Sequence, residues 1–171
     1  NNTPLLFLQN ITGFMVGKKY EEEGIIKHGA KMVNAVSNST VPAITIVTGA
    51  SYGAGNFAMC GRSYNPRFLF TYPHSKIAVM GSEQLAGVMQ TIGRAAAAKS
   101  GAAYDEEQGG KMALAMMKEA EKQSSPWYAS GQLWDDGVID PRETRNYLKM
   151  CMEVIHHAPF KGADGFGVFR M

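Results

Sequence analysis

Two uninterrupted apolar runs, Leu5–Gln9 and Ala43–Thr48, constrain this chain most. Neither shows the apolar–polar alternation of a strand with one wet face, so each reads as a strand covered on both sides. Between them, Ile25, Ile26, Met32, Val33 and Val36 recur at helical spacing from Lys18 to Ser37, with Lys18, Glu21, Glu22, Glu23 and Lys27 left for solvent. The same alternation continues downstream. Asn56–Cys60 opens a short helix, Arg67–Tyr72 and Lys76–Met80 are short strands, and Glu83–Ile92 is a helix with Ser82 as N-cap. Lys111–Lys122 and Trp127–Leu133 are further helices, and Gly137–Ile139 is a minimal strand. Asp140-Pro141-Arg142-Glu143 is a helix start, with Asp at the cap, Pro at the first turn and an acid behind it. The helix it opens carries Thr144, Tyr147, Leu148, Cys151, Val154 and Ile155 on one stripe. The expected class is therefore α/β, a sheet layered with helices. Residues 93–110 interrupt the pattern with glycines and an acidic cluster, and are expected to form a mobile surface insert.

Composition excludes several classes. The chain has 171 residues, 45% of them hydrophobic and 19% charged, which rules out a disordered tail, a collagen-like rod and a coiled coil. Seventeen Lys and Arg against fifteen Asp and Glu leave a net charge of +2, too balanced for a nucleic-acid binder that works by counterion release. No apolar run approaches the ~18 residues of a membrane span. Cys60 and Cys151 sit in apolar stretches and are expected to be buried free thiols of a reducing compartment. His28, His74, His156 and His157 have no metal-ligand spacing with them, so no metal is expected. The length suits one domain. The opening at Asn1, close before a core-type strand, suggests a fragment of a longer chain. Glycine is the outlier, at 19 residues.

The glycines concentrate chemically in Val47-Thr48-Gly49-Ala50-Ser51-Tyr52-Gly53-Ala54-Gly55-Asn56. A strand enters a tight turn and the turn enters a helix, a geometry that points the N–H groups of Ala54 and Gly55 outward. Such donors suit an anion or an oxygen on which negative charge develops. The plain alternative is a packing turn with no chemistry. A second alternative is a serine hydrolase: Gly49-Ala50-Ser51-Tyr52-Gly53 matches the G-x-S-x-G elbow, followed by Asp136 or Asp140 and then His156 or His157. Against it, further small residues follow Ser51, whereas an elbow has a single turn. The histidine pair also lies in a helix whose apolar stripe is already complete.

Several segments carry a resemblance. They are Pro4–Gly17, Gly49–Arg62 (GASYGAGNFAMCGR), Asn65–Phe68, Val79–Gly81 with Glu83-Gln84, and Trp134–Pro141. Together they strongly resemble the carboxyltransferase β subunits of biotin-dependent acyl-CoA carboxylases, of the 3-methylcrotonyl-CoA carboxylase type. The closing Phe166–Met171 resembles the natural C-terminus of that subunit, and the likeness departs at residues 93–125 and at Ser82. The resemblance implies a crotonase-like (ClpP/crotonase) fold of stacked β-α-β turns with a helical layer. It implies that residues 1–171 are the C-terminal carboxyltransferase domain, which binds biotin while a missing N-terminal domain binds the acyl-CoA. The implied reaction is carboxyl transfer from carboxybiotin to a branched enoyl-CoA, 3-methylcrotonyl-CoA or a relative such as geranyl-CoA. It belongs to an ATP-dependent ligase of leucine degradation. Backbone donors around Gly53, Ala54 and Gly55 would hold the ureido oxygen of biotin, and Phe14, Tyr52, Met80 and Gly81 would line the biotin or acyl pocket. The implied partners are a β hexamer and a biotin-carrying α subunit, with no nucleic acid and no membrane. The implied location is the mitochondrial matrix in a eukaryote and the cytoplasm in a bacterium. Alone, the fragment is expected to be inactive.

Overall fold

A computed structural model describes residues 2–165 of the chain. Strand β1 (Leu5–Ile11) runs parallel to β2 (Ala43–Tyr52), in register from Leu5 opposite Ala43 to Gln9 opposite Val47; pairing resumes at Ile11 opposite Ser51 after an irregularity. Helices α1 (Lys18–Glu22) and α2 (Ile25–Ser37) connect them. The single helix expected over Lys18–Ser37 is thus two, divided at Gly24, whose φ of 86° a helix cannot continue. Helix α3 (Gly55–Ala58) follows β2 almost at once. The other edge of β2 is divided between two short parallel strands. β3 (Phe68–Thr71) pairs with Ile44–Val47, and β4 (Lys76–Ala78) pairs with Ala50–Tyr52.

The rest of the chain is helical. Helices α4 (Ser82–Ser100), α5 (Glu106–Gln123) and α6 (Pro126–Gly131) lead to α7 (Thr144–Ile155), which a 3-10 turn at Pro141–Glu143 introduces. Ile44 and Ile46 point from β2 to one face, where they meet Phe70, Ile139, Cys151 and Ile155 in the buried core. Thr45 points the other way, and its buried hydroxyl donates to the Cys60 carbonyl at 2.7 Å, which satisfies it. The expected stripe on α7 holds except at Val154, which is 43% exposed. Gly137–Ile139 adds only one bridge to the sheet, between Thr71 and Val138.

Two further expectations need correction. β1 is not covered on both sides. Leu5, Leu6 and Leu8 are 39%, 47% and 55% exposed on this edge strand of the sheet. Ser82 is not the cap of α4. Gly81 takes that position, and Ser82 opens the helix with its hydroxyl donating toward Glu121 at 3.4 Å. Residues 93–110, expected as a mobile surface insert, form the tip of an α4–α5 helical hairpin. Gly101 ends α4 in a left-handed conformation, and Asp105 caps α5 by accepting from the Gln108 N–H at 2.9 Å. Between them the Tyr104 ring lies against Gly93 and Gly109, with Arg94 at 5.6 Å from its centroid and bonded to Glu106. Gly109, which reads as a helix breaker, is where that aromatic ring docks.

Candidate active site

The turn between β2 and α3 is built from below by side chains. Ser51, near the end of β2, is 1% exposed, and its hydroxyl oxygen accepts from Gln9 Nε2 at 2.8 Å and Asn56 Nδ2 at 2.7 Å. Gly53 then turns the chain with φ 58°, and a Cβ there would lie 3.1 Å from the Val79 carbonyl. The Gly53 N–H donates to the Ala78 carbonyl at 3.0 Å, which ties the turn to the end of β4. Gly55 is packed so closely on Ile11 that a Cβ would lie 2.9 Å from the Ile11 Cδ1. The Asn56 N–H donates back to the Gly53 carbonyl at 3.2 Å.

The accounting of backbone donors is therefore uneven. Of the three expected N–H groups, that of Gly53 is spent on Ala78, while those of Ala54 and Gly55 find no acceptor among the described residues. A donor left unpaired costs free energy unless water or a ligand takes it. Helix α3 is only four residues long, so its dipole adds little, and the two N–H groups themselves are the polar feature.

Ala54 is exposed at the tip and borders two largely apolar cavities. One, of about 560 Å³, is lined by Ser51, Phe57, Arg62, Val79 and Trp134 among others. The second, of about 420 Å³, is lined by Phe14, Met15, Val16, Ile25 and Ile26. Phe14, singled out from the sequence, thus shares a cavity with Ala54; its ring packs on Gly29 of α2, 3.2 Å from where a Cβ would stand. Tyr52 is half-buried, its ring edge 3.9 Å from the Cβ position of Gly81, so those two candidates are neighbours. Neither they nor Met80 line the cavities that border Ala54. Sequence reasoning missed Gln9, Asn56, Phe57, Val79 and Trp134. A glutamine closing an apolar strand run was the one available signal.

The hydrolase arrangement does not form. Ser51 lies inside β2 rather than at an apex, and its oxygen is engaged by two amides. His156 bonds instead to the Met152 carbonyl at 2.8 Å and stacks edge-on against Phe160. Asp136 accepts from the Leu69 N–H at 2.7 Å and lies 3.7 Å from Arg62. Its neighbour Asp135 is buried, accepting from Thr71 Oγ1 at 2.6 Å and the Gly137 N–H at 3.1 Å. Cys60 and Cys151 are buried free thiols, and burial pushes both up from the usual thiol range. No group of three metal-ligating side chains occurs among the described residues, and no described helix is long and apolar enough to cross a membrane.

The chain has relatives among known proteins. The family model for the carboxyl transferase domain matches residues 1–166. A Mycobacterium tuberculosis protein named "Probable biotin-dependent acyl-coenzyme A carboxylase beta2 subunit" is 57% identical over 99% of this chain and 32% of its own length. The mitochondrial methylcrotonoyl-CoA carboxylase beta chain of Arabidopsis thaliana is 50% identical over 98% of this chain and 28% of its own length. Among solved structures, the β subunit of geranyl-CoA carboxylase from P. aeruginosa superposes with a TM-score of 0.81 at 44% identity, covering 98% of this chain and 32% of that one. The hexameric transcarboxylase 12S assembly gives a TM-score of 0.79 at 33% identity, covering 99% of this chain and 31% of that one. The chain therefore spans about a third of the length of these relatives. The closing run Phe166–Met171 lies outside the described residues. Family match, sequence relatives and superposition agree: the chain belongs to the carboxyl transferase domain family, with the crotonase-like fold of the acyl-CoA carboxylase β subunits.

Proposed function

We propose that this chain supplies the biotin-binding half of a carboxyltransferase site that moves a carboxyl group from carboxybiotin to a branched enoyl-CoA, 3-methylcrotonyl-CoA in the first place. The observation that carries the proposal is the pair of unpaired N–H groups at Ala54 and Gly55, Ala54 exposed and bordering two apolar cavities and Gly55 buried next to it. The fit is chemical. Biotin presents a compact apolar ring system with a single urea oxygen, and the tip offers apolar walls around two fixed donors. When bound, biotin supplies the carboxyl group and afterwards a basic ring nitrogen. The chain's own contribution is electrostatic: Ala54 and Gly55 stabilise the negative charge that collects on the urea oxygen, without reorganising at the moment of reaction. Phe14 and its neighbours hold the ring and keep water from it. No side-chain acid or base on this chain is needed.

Further parts of the reading rest on likeness to relatives. The acyl-CoA site is assigned to the part of the protein outside this chain. The biotin is assigned to a partner α subunit, and the assembly to a β hexamer like the transcarboxylase 12S relative. Location is mitochondrial if the source is eukaryotic, as for the Arabidopsis relative, and cytoplasmic if bacterial. In the full-length subunit, Gly55→Val drives a side chain into Ile11 and displaces the tip. Carboxyl transfer from biotin is expected to fall by a factor on the order of 100 or more, with acyl-CoA affinity retained. Loss of acyl-CoA affinity with normal biotin turnover contradicts the assignment. Stoichiometric labelling of Ser51 by a fluorophosphonate would replace it with a hydrolase.

A further inference from the structure

We propose that Gln9, Ser51 and Asn56 form a brace that positions the Ala54 and Gly55 donors, with Asn56 and Ser51 acting as positioning residues for carboxyl transfer. The inference deepens the function proposed above and rests on it. Three elements meet in the brace: Gln9 from β1, Ser51 from β2 and Asn56 from α3. The Ser51 oxygen is its centre, receiving one amide from each side at 2.8 Å and 2.7 Å.

Asn56 is held by its N–H, its carbonyl and its side-chain NH2. Its N–H holds the Gly53 carbonyl at 3.2 Å, its carbonyl accepts from the Gly61 N–H at 2.8 Å, and its side chain bonds Ser51. The carboxamide lies directly against Gly61, where any Cβ would overlap it. The residues whose donors are free, Ala54 and Gly55, are the two between the Gly53 carbonyl and Asn56. Both ends of that two-residue tip are thereby clamped. Gln9 is fully buried with its Oε1 unpartnered among the described residues, a cost a packing turn alone does not require. Burying an amide whose other half goes unsatisfied is accounted for if the bond it does make holds the tip in place.

The test uses the full-length β subunit assembled with its biotin-carrying partner. Ser51→Ala and Asn56→Ala are each made alone and in an Ala54→Pro background, which deletes one of the positioned donors. Misplacement of a reacting group by about an ångström costs up to ~100-fold, so each single variant is expected to lower kcat on the order of 10-fold. The KM for acyl-CoA should stay within about twofold, as expected when only transition-state contacts are lost. In the Ala54→Pro background the same substitutions should cost at least about threefold less, because they act through a donor already removed. Equal losses in both backgrounds, or unchanged kcat in Ser51→Ala, overturn the brace. If Asn56→Ala fails to fold, the Ser51→Ala pair alone decides, since it deletes a single oxygen. Wild-type transfer by Ala54→Pro itself would sink the functional reading, and the brace with it.

Discussion

In the proposed site Ala54 would contribute only an N–H group, left unpaired because neighbours consume the donors on either side of the tip. Gly53 gives its N–H to Ala78, and Asn56 gives its own to Gly53. The Gly-rich motif was legible as a turn with the Ala54 and Gly55 donors outward, but that Gly53 spends its own N–H was not, because that depends on β4, remote in sequence. Ser51 illustrates the converse. The elbow pattern around it was legible, yet its meaning changed once Gln9 and Asn56 were seen to occupy its oxygen.

Asp140 carries the clearest electrostatic prediction. Hydrogen bonds from the Arg142 guanidinium, then from the Arg142 N–H, lower its carboxyl to about 2. Because the folded value is depressed, its contribution is complete above the ordinary value of about 3.9 and is lost as pH falls through about 2. A carboxyl-carbon NMR titration should find the midpoint near 2, moving back to the ordinary carboxylate range in Arg142→Ala. A midpoint near 4 in the unaltered chain would contradict the pairing.

At the scale of elements, the α4–α5 hairpin is the instructive case. Helix boundaries were misjudged there because Gly101, Gly109 and Gly110 look like breakers in a local window. Gly101 does end α4, but Gly109 lies inside α5 and faces the Tyr104 ring. Gly109→Ala should push that ring off Arg94, loosening the tip at a cost of about 1 kcal/mol, the lower end for overpacking. Faster amide exchange over residues 93–110, with the β2 core unchanged, is the expected readout. Unchanged exchange would show that the ring does not hold the tip. The approach to α7 was legible because Asp140 caps locally, accepting from the Arg142 N–H, but it caps a 3-10 turn at Pro141–Glu143 and α7 itself begins at Thr144.

At the scale of the molecule, the core was legible and the boundary was not. Continuous apolar runs announced a covered sheet, and β2 is covered. β1 repeats the pattern yet leaves three leucines exposed, because sequence reports that a strand is apolar and not what covers it. The chain spans about a third of its relatives, and the account assigns the cover and the acyl-CoA half of the site to the remainder. The isolated chain is therefore expected to self-associate through β1, to a degree that Leu6→Lys and Leu8→Lys together reduce in sedimentation velocity. It should show no carboxylase activity at any concentration. Activity from this chain alone would refute the shared site.

Ala54 already sits at φ −66°, the value proline imposes, so Ala54→Pro removes an N–H with minimal change of backbone path. The most direct measurement is carboxyl transfer by the full-length Ala54→Pro subunit, with acyl-CoA binding followed in parallel. The account predicts a rate lower by a factor on the order of 100 with acyl-CoA affinity intact. Transfer at the unaltered rate would show that this N–H holds nothing in the reaction, and would contradict the assignment of the site.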